Sequence, residues 1–191
     1  YMIYSIFFNV DQDTGNKEYL AATKFILPGL GITFLCTITS FLIALIIGLI
    51  AGVGRISKNT FINNFSRAYI EFIRGVPVLI LLFTIAFVIV VDVAAIFDVR
   101  GNQVPMILRA IIALAIFYGA YIAEVFRAGI ESVHAGQLEG GMSVGLNDRQ
   151  IMRFIILPQA FRNMLPALGN DFIGMMKDSS LLSVLAVNDI T

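Results

Sequence analysis

Cysteine and histidine occur once each in this 191-residue chain, and charged residues make up only 14% of it. The lone Cys36 excludes an internal disulfide and any cysteine-based metal cluster, and reads as a small apolar helix residue. His134 cannot build a metal site by itself, and nothing beside it offers a nucleophile. It reads as a solvated loop residue. Lysine and arginine balance aspartate and glutamate at 13 each, so charge gives no argument for a nucleic-acid partner. No stretch fits the pattern G-x-x-x-x-G-K-[ST], which excludes a P-loop nucleotide site. No basic n-region of a signal peptide stands at the start.

Apolar residues fill the space: 58% of the chain is hydrophobic and the mean hydropathy is +0.87. A soluble domain is usually about 45–50% apolar and about 25% charged. The excess lies in long runs, which predicts an all-α, polytopic membrane protein.

Residues 1–24 mix aromatics with Asp11, Asp13, Lys17, Glu18 and Lys24. They form an external or interfacial lead-in, with turn chemistry at DQDTGN and a short surface helix or a disordered stretch around it. Residues 25–191 form a single transmembrane domain. Phe25–Gly54 is uncharged and longer than the about 20 residues a spanning helix needs. Thr33, Thr37 and Ser40 recur on it at helical spacing and suit close contact with a neighbour. Arg55, Lys58 and Arg67 follow with no acid between them, so this loop belongs inside the cell.

The second span runs outward to Val91, and Pro77 kinks or unwinds its entry. Asp92–Pro105 reads as the external loop, and Met106–Ser132 as the third span, running inward. Glu124 and Arg127 stand at i,i+3 near its inner end, either as a structural pair or as a functional intramembrane acid. A fourth apolar segment follows residue 150. Pro158, Pro166, Gly169 and Gly174 predict a broken helix there, and broken helices mark substrate sites in transporters. Asp171, Met175 and Asp178 share one face if that helix is continuous. The plain alternative is a Lys177–Asp178 pair at the outer interface.

Between the third and fourth segments lies the most polar, glycine-rich stretch, QLEGGMSVGLNDRQIMRFIILP, residues 137–158. Glu139, Gly140 and Gly141 are followed at fixed spacing by Gly145, Ile155, Leu157 and Pro158. This pattern resembles the cytoplasmic loop of bacterial ABC-transporter permeases, E-A-A, three residues, G, nine residues, I, one residue, L-P. Only the two alanines have become glycines. EFIRGVPVLILLF, YGAYIAEVFRAGI and MKDSSLLSVL resemble further segments of the polar amino-acid permeases. Val76 departs from them where threonine is usual.

The resemblance implies a type I ABC importer permease core in a bacterial plasma (inner) membrane. It implies a coupling helix at about 137–145 that docks on an ATPase dimer, through Glu139, Gly140, Gly141 and Gly145. ATP and Mg would be bound by that partner, with no cofactor in this chain. It also implies a second permease subunit, identical or not. An external amino-acid-binding protein would deliver substrate, unless a binding domain is fused ahead of Tyr1. A further spanning helix is expected beyond Thr191, both ends being read as cuts in a longer polypeptide. The implied substrate residues are Arg74, Gly75, Pro77, Leu79, Asp171, Met175, Lys177, Asp178, Ser179 and Ser180. Two acids on one helix face favour a cationic side chain such as arginine, lysine or histidine, with glutamine as the neutral option. An ion channel without ATPase coupling and an intramembrane enzyme are the rival readings. The second lacks any catalytic constellation beyond the Asp171 and Asp178 carboxylates.

For the coupling helix, Gly145 suits a left-handed cap, and Glu139 is expected near the helix start. Two glycines at about 1 kcal/mol each should leave it weak until docked, and should admit close backbone approach.

Overall fold

A computed structural model describes the backbone of residues 12–186 and the side chains of residues 29–179 except Asn102. The first eleven residues of the lead-in and the last five of the chain lie outside the described residues, as does the side chain of Ser180. Tyr1–Leu35 and Cys36–Thr191 form two compact units. In the first, the Thr33 hydroxyl donates to the Gly29 carbonyl at 2.9 Å. The second carries everything that follows.

The elements are α1 (Gln12–Ile56), α2 (Thr60–Gly75), α3 (Val78–Thr84), α4 (Val90–Ile96), α5 (Met106–Glu131), α6 (Ala135–Ser143), α7 (Asp148–Ile151) and α8 (Leu157–Ala186). Wide π turns, Ile85–Ile89 and Met152–Ile156, join α3 to α4 and α7 to α8. No strand occurs among the described residues. Among the described residues, three stretches are long and apolar enough to cross a membrane: Gly29–Ile56, Val78–Ile96 and Met106–Glu131.

Three expectations change. From Gln12 onward the lead-in belongs to α1, not to a turn with a separate surface helix. Extending an existing helix by one residue costs far less than starting one, so the long apolar run carries Gly15 and Asn16 with it. The inner loop is also short. Asn59 caps α2, accepting from the Phe61 and Ile62 amides at 2.9 and 3.5 Å, so Arg67 lies on a helix. This helix buries Ser66, Ile70 and Ile73 while its Phe61, Phe65 and Phe72 stay exposed. A Cβ at Gly54 would collide with Ser66 Oγ, so α1 and α2 approach closely there.

Pro77 unwinds the entry of the second span, as expected: Val76 and Pro77 are extended, with ψ of 137° and 134°, and the helix restarts at Val78. The third change is the largest. α8 is not broken: it runs unbroken through Pro166. The helical backbone enters Pro158 through the π turn Met152–Ile156, where Leu157 N bonds the Met152 carbonyl five residues back. Pro166 forfeits one intrahelical bond, offset by the buried stripe Ala160, Met164, Leu168 and Met175 along the same helix.

Small residues bring the long helices together. A Cβ at Gly48 would sit 2.5 Å from Ile122 Cγ2, and one at Gly52 2.8 Å from the Ala123 carbonyl. Backbones of α1 and α5 therefore touch, as membrane helices do where small residues line the seam. Thr37 and Ser40 are fully buried, as their spacing on α1 predicted. The core centres on α5, with Leu82, Ile85, Leu114, Phe117 and Ile122.

Candidate functional site: a charged cavity and a coupling helix

A cavity of about 380 Å³ opens beside α5, lined among others by Arg74, Tyr121, Glu124, Ser132, Asn163 and Asp171. Three elements supply these groups. α2 ends at the unwound Val76–Pro77 step, which leaves Arg74 in its last turn. Tyr121 and Glu124 sit at i,i+3 on α5, and Asn163 and Asp171 are eight apart on α8, two turns on one face.

The charges are unevenly matched. Glu124 accepts from Arg127 Nε and Nη2 at 3.0 and 2.5 Å. Arg127 also reaches Glu131 on the next turn. Arg74 comes only to 4.0 Å from Glu124 and lies over the Tyr121 ring at 5.4 Å. Asp171 is half-buried, and its Oδ2 is shut off from solvent without a hydrogen-bond partner. A buried carboxylate oxygen left in that state costs about 1–3 kcal/mol or more. The cavity thus holds one loosely engaged cation and one unmet acceptor.

The other substrate candidates fall elsewhere. Asp178 accepts from the Tyr118 hydroxyl at 2.9 Å, and Ser179 accepts from Thr37 at 3.2 Å while donating to the Met176 carbonyl at 2.7 Å. Met175 is fully buried in the core, and Lys177 is exposed. Pro77 and Leu79 are exposed at the restart of the second span. Gly75 lines a neighbouring cavity. So the structure joins Arg74 to Asp171 and sets Asp178 and Ser179 apart from them. Sequence reasoning missed Tyr121 and Asn163. Asn163 had a readable signal, its eight-residue interval from Asp171 on one helix face.

The polar loop folds as α6, which begins earlier than expected. His134 is an exposed loop residue, as expected, and also serves as the N-cap, its Nδ1 accepting from the Gly136 amide at 3.1 Å. Glu139 therefore lies mid-helix, beyond the reach of the N-terminal dipole. Gly145 has φ +82° and closes the helix as predicted, with Leu146 N bonded to the Gly141 carbonyl at 3.1 Å and Gly145 N to Met142 at 3.0 Å.

The two glycines differ. Gly140 faces open space, whereas a Cβ on Gly141 would come within 2.9 Å of Ile151 and 3.0 Å of Ile155. The close approach is to this chain's own α7 and π turn. Leu138 and Met142 stay exposed on α6, as does Val144 just past its end. Gln159 ties α8 to Gln137 at 3.4 Å, and Asn163 donates to Ser132 at 2.9 Å. These contacts tie α6 to α8, and α8 to the end of α5, beside the cavity.

Residues 44–190 match the family described as binding-protein-dependent transport system inner membrane component. The chain is 39% identical over 171 residues to the probable amino-acid permease protein YxeN of Bacillus subtilis, covering 90% of this chain and 74% of that one. To the glutamine transport system permease protein GlnP of Escherichia coli it is 34% identical over 170 residues, with coverage of 89% and 75%. A crystal structure of an amino acid ABC transporter with histidines superposes with a TM-score of 0.78 at 36% identity, covering 88% of this chain and 75% of that one.

Proposed function

We propose that this chain, which belongs to the family of binding-protein-dependent transport system inner membrane components, is the membrane subunit of an ATP-driven amino-acid importer. It is non-catalytic. ATP and Mg are bound by a partner ATPase, whose dimerisation moves α6, and a binding protein delivers the amino acid from outside. A second permease subunit completes the pathway in the bacterial inner membrane.

One observation carries the substrate reading: Arg74 and the unmet Asp171 carboxylate line a single cavity. An α-amino acid brings a carboxylate and a cation. Its carboxylate suits Arg74, whose contact with Glu124 is long and replaceable. A cationic side chain suits Asp171 Oδ2. It removes the cost of an unpaired acid, which the neutral side chain of glutamine does less well, so arginine, lysine or histidine is favoured over glutamine. Because α6 touches the π turn ahead of α8, its movement shifts the Asn163–Ser132 contact at the cavity's inner end.

Asp171→Asn tests the reading in the reconstituted complex. Arginine uptake relative to glutamine uptake should fall about tenfold, the loss of about 1.4 kcal/mol of charge pairing. An unchanged ratio overturns the cationic preference.

A further inference from the structure

Beside the first cavity lies a second, of about 340 Å³, lined by Arg55, Ile70, Glu71, Arg74, Gly75 and Glu124. Arg74 and Glu124 belong to both. Arg55 closes α1 at the start of the basic inner loop, so this second space lies toward the cytoplasm.

Its two glutamates are already engaged by arginines of their own helices. Glu71 accepts from Arg67 at 2.7 Å, and Glu124 accepts from Arg127 at 2.5 and 3.0 Å. A second guanidinium stands off from each. Arg55 reaches Glu71 only at 3.9 Å and Arg74 reaches Glu124 only at 4.0 Å. Both separations exceed hydrogen-bond length. Four guanidinium groups thus surround two carboxylates, and the two that face the cavity are the poorly matched ones. A planar guanidinium fork matches a carboxylate bidentately, and two forks on one cavity can hold it from two sides.

We propose that Arg55 and Arg74 form an exit station for the α-carboxylate of the transported amino acid. This rests on the reading of Arg74 given above. Substrate held by Arg74 in the first cavity is passed inward by a swing of that side chain, without its carboxylate being released to water. Arg55 takes it up on the cytoplasmic side. The Arg74 side chain is 42% exposed, so water competes and the station binds weakly, as release requires. Amino acid accumulated in the cytoplasm refills the station from inside, keeps Arg74 engaged and slows further import.

The test uses the complete complex in liposomes preloaded with unlabelled L-arginine, L-glutamine or agmatine, the last being arginine without its carboxylate. Internal half-inhibiting concentration and external KM are both measured. Both amino acids should inhibit from inside, and agmatine at least tenfold less well than arginine. In Arg55→Gln the ratio of internal half-inhibiting concentration to external KM should rise about tenfold for each amino acid. Arg55→Lys, which keeps the charge and loses the fork, should fall between. An unchanged ratio in Arg55→Gln, or agmatine matching arginine, overturns the station. The glutamine arm separates the two proposals. If Asp171→Asn leaves substrate preference unchanged while Arg55→Gln still shifts the ratio, the cationic preference fails and the station stands.

Discussion

The outer and inner parts of α8 carry the same chemistry to opposite ends. Asp178 and Asp171 lie seven residues apart on one helix face. The outer acid is satisfied by Tyr118, and its neighbour Ser179 is bonded to Thr37, so α8 is fastened to α5 and α1 at one level. The inner acid has an oxygen with no partner, and beside it the helices part to form a cavity. Satisfied polar groups fasten the outer level, while the Asp171 oxygen stands unmet, as does the buried Ser40 hydroxyl on α1. In the proposed function the acid waits for the amino acid that arrives. Unmet groups of this kind persist where function requires them, at a cost in stability.

The contrast is broken most forcefully at its outer end. Tyr118→Phe removes the donor to Asp178 and keeps the ring. Stability of the purified complex should fall by about 1–3 kcal/mol, seen as a lower thermal midpoint. Asp171→Asn in the same assay should cost less than that, since no bond is lost. A midpoint that moves equally in both variants would erase the distinction between the two acids. A milder break is Thr37→Val, which removes one buried hydroxyl pair and should cost about 1 kcal/mol.

The smallest effect sharpens the same contrast at the coupling helix. Gly140→Ala meets nothing and should firm α6 by up to about 1 kcal/mol, slowing its amide exchange in the undocked permease. Gly141→Ala pushes on Ile151 and Ile155 and should return little or none of that gain. Equal slowing in both would mean the contact with the π turn carries no load.

Much of this was legible in residue order. The uncharged runs placed the spans, and the Gly145 cap was readable because few residues other than glycine adopt φ +82° at low cost. α2 was not legible, because Arg55, Lys58 and Arg67 read as a basic loop and its three exposed phenylalanines hide the buried stripe of Ser66, Ile70 and Ile73. The continuity of α8 was hidden as well. A wide turn ahead of Pro158 has no marker in composition, and without it a proline reads as a break. The different fates of Asp171 and Asp178 could not be read along the helix at all. They are decided by what α5 presents: Tyr118 bonds one acid, while the face with Tyr121 and Glu124 borders the cavity beside the other.

The inner rim of the larger cavity is fastened by one uncharged link, the Asn163 amide on the Ser132 hydroxyl. Parting it pulls no opposite charges asunder, and water replaces both halves at once, for a net loss of about 1 kcal/mol. Such a clasp favours neither anionic nor cationic cargo as it opens. In the proposed import cycle it leaves the choice of passenger to groups deeper in the membrane, and among the described residues no ion pair between α5 and α8 has to break as that rim parts.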